Sequence, residues 1–150
     1  MNKWEDLKIA LEREIFLLRE ILTNMLHEEA ALLLGNFEGR KQILHLRAYL
    51  LSRLNELRTI RIGAVNAIES EFNKKMDEIL SGTTEDFSDI LSIGDQLAAL
   101  LQKLNSQNHR NQQLLRQVGP QYELPFFHYP AQEKKKKKSS IATCPKNEVN

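Results

Sequence analysis

Apolar residues recur every three or four positions through most of the chain, which is the spacing of amphipathic helices that pack against one another. A first helix is predicted over about residues 4–34, preceded by Asn2 and Glu5 in the arrangement of a capping box. Gly35 and Asn36 then supply a helix stop and an N-cap for the next helix. This pattern predicts a tight reversal and an antiparallel helical hairpin.

The same periodicity predicts two further helices. The second runs from the turn to about Ser81 and Gly82, with Gly63 as a candidate bend. The third covers about residues 85–118 and ends at Gly119 and Pro120, because proline does not continue a helix. The predicted fold class is therefore all-α, with three long helices in an antiparallel hairpin or coiled-coil bundle.

The helical pattern of apolar residues stops near the C-terminal end, and the composition of the chain changes there. We predict a helical domain over residues 1–119 and a flexible tail over residues 120–150, which contains prolines, aromatic residues and five consecutive lysines. Its aromatic side chains are Tyr122, Phe126, Phe127 and Tyr129. They either fold back onto the bundle or dock in a groove of a partner, and the sequence leaves both alternatives open.

Composition narrows the class of protein. The 150 residues are 41% hydrophobic with a net charge of +1, and Cys144 is the only cysteine, so no disulfide framework or zinc knuckle is expected. No apolar run approaches the roughly 20 residues of a membrane span, and the acidic start does not resemble a signal peptide. We expect a soluble, cytoplasmic protein without a transmembrane segment.

Residues that would support catalysis are scarce. None of the histidines, His27, His45, His109 and His128, follows a glutamate by three positions, as a di-metal helical bundle requires. There is also no glycine-rich phosphate loop and no nucleophile elbow. We predict a protein that is not an enzyme and holds no metal or cofactor.

Basic residues concentrate at the start of the second helix. These are Arg40, Lys41, Arg47, Arg53, Arg58 and Arg61. An antiparallel first helix would place several glutamates beside them, so pairing of charges within the hairpin is expected. These are Glu12, Glu14, Glu20, Glu28 and Glu29. No specific nucleic-acid partner is expected, although a polyanion or membrane-surface binder remains an alternative.

Asparagine interrupts the apolar line of the third helix. That line follows Leu97, Leu101, Leu104, Asn108, Asn111, Leu115 and Val118. One explanation is that the amides fix the alignment of packed helices at some cost in stability. The other explanation is that these residues bind an amphipathic helix of a partner, with both amides forming hydrogen bonds at the edge of that contact.

Three stretches resemble the FlgN family of flagellar export chaperones. They are LTNMLHEEAALLLGNFEGRKQIL around the first turn, LLSRLNELRTIR in the second helix, and KLNSQNHRNQQLL in the third. The last is similar to a family signature Asn-x-x-Asn-x-x-Leu-Leu, here Asn108, Asn111, Leu114 and Leu115. The likeness covers about residues 4–118. It implies a cytoplasmic chaperone that binds C-terminal helical segments of hook-filament junction proteins, or of other type III secretion substrates, and delivers them to the export apparatus.

The resemblance also implies where partners bind. The expected client-binding residues are Leu97, Leu101, Leu104, Asn108, Asn111, Leu114, Leu115 and Val118. Family members contact the export gate through a Tyr-Gly pair in the tail, which this chain lacks; its tail offers Tyr122, Phe126, Phe127 and Tyr129 instead. The chain is expected to be a monomer or homodimer. The alternative is a structural coiled-coil subunit of a secretion or cytoskeletal apparatus.

Overall fold

The computed structural model describes residues 2–82 and 86–122, with side chains as far as Val118. In these ranges the chain forms α1 (Lys3–Leu34), α2 (Phe37–Phe72), α3 (Met76–Ser81) and α4 (Ser88–Tyr122), without a strand. The predicted all-α class is confirmed. No helix in the described part of the chain has both the length and the hydropathy needed to cross a membrane.

Local capping explains the hairpin between α1 and α2. The Asn2 side chain accepts a hydrogen bond from the Trp4 amide at 3.0 Å and starts α1. Gly35 adopts φ 71° and ends it, a conformation that costs glycine little. Asn36 then caps α2 by accepting from the Gly39 amide at 2.9 Å. The predicted tight turn is confirmed.

The predicted end of the second helix is wrong. α2 ends at Phe72, and Asn73 takes up the left-handed conformation with φ 52°. Asparagine tolerates this conformation because its short polar side chain hydrogen-bonds locally. The chain then turns into the short α3, whose first residue, Met76, donates its amide to Glu69 at 2.8 Å. What the periodicity predicted as one helix is therefore two, so the described chain has four helices.

The last helix also differs from its predicted bounds. α4 begins at Ser88 and passes through Gly119 and Pro120 to Tyr122. A proline one turn from a helix end removes one backbone hydrogen bond but leaves the preceding turns intact. α2 and α4 also run uninterrupted through Gly63 and Gly94. Residues 123–150, most of the predicted tail, lie outside the described residues.

α1 is the central helix. It packs against α2 along one side and against α4 along another. Salt bridges from Lys3 to Glu71 and from Glu28 to Arg40 join opposite ends of α1 and α2, which are therefore antiparallel. Lys8 lies 3.7 Å from Asp89, near the starts of α1 and α4, so these two helices run in the same direction.

The core is a leucine and isoleucine cluster contributed by all four helices. Its buried members are Leu7, Leu11, Ile15, Leu17, Leu18, Ile21, Leu50, Leu54, Ile68, Ile79, Ile93, Leu100 and Leu104. Six of these belong to α1, as its central position requires. Each such side chain contributes about 1.5 to 3 kcal/mol on burial. At one end Trp4 closes the cluster by packing against Phe87, with ring centroids 4.4 Å apart.

Candidate functional site

Glu28 is a buried carboxylate that joins all three long helices. It projects from α1 and is 4% exposed. Arg40 Nε and Arg47 Nη2 of α2 lie 3.0 and 2.9 Å from its two oxygens. From α4, Asn111 donates a hydrogen bond to the same carboxylate at 2.9 Å. Asn24 completes the group by accepting from Arg47 Nε at 2.8 Å and donating to the Ile43 carbonyl.

The surroundings of Glu28 favour its charged form. Burial by itself raises the pKa of Glu28, because water no longer solvates the carboxylate. The charges of Arg47 and Arg40, together with the hydrogen bond from Asn111, outweigh that effect and lower the pKa overall. The network around Glu28 therefore stabilises the folded chain when the carboxylate is ionised.

Glu14 occupies the corresponding position four helical turns earlier and behaves differently. It is 1% exposed, with Arg61 Nε at 2.6 Å and Arg58 Nε at 3.8 Å. The contact with Arg61 is a close ion pair without the geometry of a directed hydrogen bond. Burial raises the pKa of Glu14 and exceeds the lowering by Arg61 and Arg58. Burial likewise lowers the pKa of Arg58.

These contacts show how far charge pairing extends across the hairpin. The predicted pairing of charges between α1 and α2 is confirmed for four basic residues of α2, which lie against the two buried glutamates of α1. They are Arg40, Arg47, Arg58 and Arg61. The prediction is wrong for the other two basic residues. Lys41 and Arg53 pair with Glu38 and Glu56 three positions away on α2 itself, and these side chains are more than half exposed.

Asn111 has two hydrogen-bond partners on α1. Besides Glu28, its amide donates to the Met25 carbonyl at 2.8 Å, and its oxygen accepts from Gln107 Nε2 at 2.9 Å. The side chain is 3% exposed. These contacts favour the explanation in which an amide fixes the alignment of packed helices. Asn108, three residues earlier, is only half-buried.

The predicted client-binding residues occupy two different environments. Leu104 and Asn111 are buried against α1. Leu97 and Leu101 are half-buried and pack against the core cluster. Asn108, Leu114, Leu115 and Val118 are also half-buried. Partner binding by these residues stays a prediction, and a partner helix would reach Leu104 and Asn111 only by displacing α4 from α1.

An open groove of about 590 Å³ lies between α1 and α4. The apolar periodicity of the sequence does not predict this groove. Leu22 and Leu26 form its apolar side on α1, and six α4 residues form the other: Ala99, Gln102, Lys103, Ser106, Gln107 and Arg110. Leu26 is 45% exposed there. Leu33, seven residues further along the same face of α1, is 61% exposed and extends the apolar line.

One end of this groove is closed by a polar contact between the two helices. Glu29 of α1 accepts hydrogen bonds from Arg110 and, at 3.1 Å, from Gln107. The hydrogen bond from Arg110 lowers the pKa of Glu29. Because Arg110 is engaged with Glu29, Lys103 is the cation that the groove presents to an incoming molecule.

The remaining predicted residues lie apart from the groove. His27, His45 and His109 are exposed on the helices. Among the described residues, histidine, cysteine and carboxylate side chains form no group of three that could hold a metal ion. Tyr122 ends α4, and its side chain is not described; Phe126, Phe127, Tyr129 and His128 lie outside the described residues.

Comparison with known proteins adds no relative. No family model matches the chain, and neither a curated protein nor a solved structure matches it. The fold and its surfaces define the class of protein only as a helical bundle with an ionic contact between its first two helices and an open groove beside its last.

Proposed function

We propose that this protein is a cytoplasmic export chaperone that binds an amphipathic helix of an export substrate in the groove between α1 and α4. The observation that carries the proposal is the groove itself, where Leu26 exposes 45% of its surface beside Leu22 and Ala99. Apolar surface in a groove between two helices is the usual docking site for the apolar face of a third.

The shape of the groove suits a helix. α1 and α4 are neighbours that run side by side, so a helix lying along them contacts both at once. Leu22 and Leu26 offer apolar contacts one turn apart on α1. On the α4 side the small side chains of Ala99 and Ser106 allow close approach of the partner's backbone.

The polar rim indicates what else the partner carries. Lys103 lines the groove together with the amide side chains of Gln102 and Gln107. A helix with leucine-type anchors and an acidic residue at its edge matches this rim, because the acid would pair with Lys103 and accept from the amides. Basic helices would be disfavoured by Lys103.

The resemblance to FlgN-type chaperones supplies the class of partner. It favours C-terminal helical segments of hook-filament junction proteins, or of other type III secretion substrates, as the occupants of the groove. Contact with the export gate through Tyr122, Phe126, Phe127 and Tyr129 belongs to the same proposal. The buried Leu104 and Asn111 then hold α4 in place as one wall of the binding site.

The test compares two matched variants. Export substrates captured by the wild-type chain are identified, and their C-terminal segments are titrated as labelled peptides by fluorescence anisotropy. Leu26→Asp should weaken binding about tenfold or more, since it removes the burial of the exposed part of Leu26 and places a carboxylate against the apolar face of the partner. Leu51→Asp is the control, because Leu51 is 43% exposed on α2, outside the groove.

Three results would contradict this proposal. Equal affinities of wild type and Leu26→Asp would place the binding site elsewhere. Capture of nucleic acid that salt removes would favour a polyanion binder. Assemblies larger than a dimer in the purified protein would favour the structural coiled-coil alternative.

A further inference from the structure

A second apolar surface lies on α2, on the side that does not pack against α1. Leu46, Tyr49 and Ile60 are 53%, 61% and 53% exposed there. They belong to a line of seven residues that steps alternately by three and four positions, as the contact line of a coiled coil does. The line consists of Leu46, Tyr49, Arg53, Glu56, Ile60, Gly63 and Ala67. We call it the α2 stripe.

The α2 stripe differs from the face that α1 covers. The buried residues of α2 are Leu50, Leu54, Arg58 and Ile68, which occupy other positions of the helix. The stripe also lies apart from the groove, which α1 and α4 form between them. An inference about the stripe is therefore independent of the proposed function.

The order of residues along the stripe is complementary to itself. When a second copy of α2 is placed antiparallel, with a two-fold axis between Leu54 and Asn55, six of the seven stripe residues pair, and Ala67 lies beyond the paired segment. Tyr49 lies opposite Ile60 of the other copy, and each pair occurs twice by symmetry. Such a match between one surface and its own copy is what an isologous dimer requires.

The charged residues of the stripe also favour the antiparallel orientation. Arg53 and Glu56 occupy the centre of the stripe and form a 2.6 Å ion pair within α2, both more than half exposed. In the antiparallel pairing Arg53 of one copy lies opposite Glu56 of the other, so four charges alternate in sign. In a parallel pairing each would face its own kind, and like charges disfavour that arrangement.

The sizes of the side chains that face each other in the two copies are also matched. Leu46 lies opposite Gly63 of the second copy, and a side chain at Gly63 would meet nothing within 4 Å in the isolated chain. Glycine at this point leaves room for a leucine from the second copy. Large therefore meets small at each end of the stripe, while the paired Tyr49 and Ile60 fill the space between.

From these observations we infer that the protein forms a two-fold symmetric homodimer through the antiparallel pairing of the α2 stripes. The partner is a second copy of this chain, chosen by alternating charge and by matched side-chain size. Because the pairing closes on itself, assembly stops at two chains.

The first test is the oligomeric state measured by analytical ultracentrifugation of the full chain. The wild type should be a dimer, and Ile60→Asp should raise the dimer dissociation constant about tenfold or more by placing a carboxylate in the contact line. Ile62→Asp is the matched control, since Ile62 is equally exposed at 53% but lies off the stripe. Circular dichroism checks that both variants keep their helices.

A charge exchange tests the orientation. Arg53→Glu should weaken the dimer, because glutamate would then face Glu56 of the other copy, and Arg53→Glu combined with Glu56→Arg should restore it. In a background with Cys144→Ser, a mixture of Tyr49→Cys and Ile60→Cys chains should form a disulfide-linked dimer. Ile60→Cys alone should not, since its two copies lie apart along the helices.

Several outcomes would overturn the inference. They are a wild-type protein that stays monomeric at high concentration, assemblies larger than two chains, and a dimer that Ile60→Asp leaves unchanged. A disulfide that forms equally well in the Ile60→Cys chain alone would rule out the antiparallel alignment. Assemblies larger than two chains would also contradict the proposed function, whereas the other results leave it unaffected, since Leu26→Asp tests the groove separately.

Discussion

Replacing each buried glutamate of α1 by glutamine should separate two carboxylates that look alike in sequence. Glu14 and Glu28 are both almost fully buried, and each faces two arginines of α2. Their pKa values shift in opposite directions, downward for Glu28 and upward for Glu14. Because glutamine resembles the protonated acid, Glu28→Gln should destabilise the fold clearly and Glu14→Gln should not.

The expected magnitude follows from the contacts of Glu28. One of its oxygens meets Arg47 and Asn111, and glutamine can keep these contacts through its carbonyl. The other oxygen accepts from Arg40 Nε, where glutamine would present a donor instead. Losing one buried, charge-assisted hydrogen bond and weakening two others should cost about 2 to 4 kcal/mol.

Glu14 should respond less to the same change. Its carboxylate has ion pairs with Arg61 and Arg58 but lacks hydrogen bonds like those that Glu28 accepts from Arg40 and Asn111, and burial dominates its pKa. Neutralising it relieves the cost of burying a charge while it removes the attraction to Arg61 and Arg58. The net effect of Glu14→Gln on the free energy of unfolding should stay within about 1 kcal/mol.

Urea denaturation followed by circular dichroism at pH 7 measures both changes, provided that the slopes of the transitions are equal. Glu28→Gln should be less stable than Glu14→Gln by about 2 kcal/mol. Equal losses for the two variants, or a larger loss for Glu14→Gln, would show that the surroundings of the carboxylates do not set their contributions.

The remaining predictions concern pH, an amide and a turn. Because the folded-state pKa of Glu14 is raised, its protonation should increase stability as the pH falls from 7 towards 4.5, the ordinary pKa of a glutamate. Below pH 4.5, protonation of Glu28 should decrease stability, because the folded-state pKa of Glu28 is lowered. Urea titrations across this range check both, and each trend should vanish in the corresponding glutamine variant. Asn111→Ala should cost about 2 to 4 kcal/mol in the same assay by removing three buried hydrogen bonds. Gly35→Ala should lower the thermal midpoint, at a cost of about 1 kcal/mol, since φ is 71° there.

Two control variants make the last pair of predictions specific. Asn108→Ala removes a half-buried amide on the same helix and should cost less than about 1 kcal/mol. Gly94→Ala places a methyl group in open space inside α4 and should raise stability by about 0.5 to 1 kcal/mol. A result in which either control matches its partner would contradict the structural reason given for that position.

Local signals in the sequence predict the hairpin well. Asn2, Gly35 and Asn36 act within a few residues of the chain, so their roles can be read without knowledge of packing. The break after Phe72 could not be predicted in the same way. The apolar periodicity continues from Phe72 through Met76 and Ile79, and only the observed φ of 52° shows that Asn73 ends α2.

The candidate site was only partly predictable. Segregated charges predicted pairing between α1 and α2, but burial of Glu14 and Glu28 depends on the rotation of α1 between its two neighbours. Likewise, Asn108 and Asn111 lie on one predicted line, yet only Asn111 is buried, where it bonds the Met25 carbonyl. The groove escaped prediction because Leu22 fits a core pattern, while Ala99 and Ser106 carry no distinctive signal.

Burial of Glu14 has a consequence for how accurately the hairpin aligns. Sliding α2 by four residues, about one helical turn, would replace Arg58 and Arg61 opposite this carboxylate. In one direction Leu54 and Leu57 would take their places, and in the other Ile62 and Val65. Either slip would leave a buried charge among hydrocarbon side chains, a state that costs several kcal/mol. A carboxylate that contributes little to the stability of the correct hairpin thus strongly destabilises both of these misaligned hairpins. Glu14 therefore favours the correct alignment of α1 and α2 during folding.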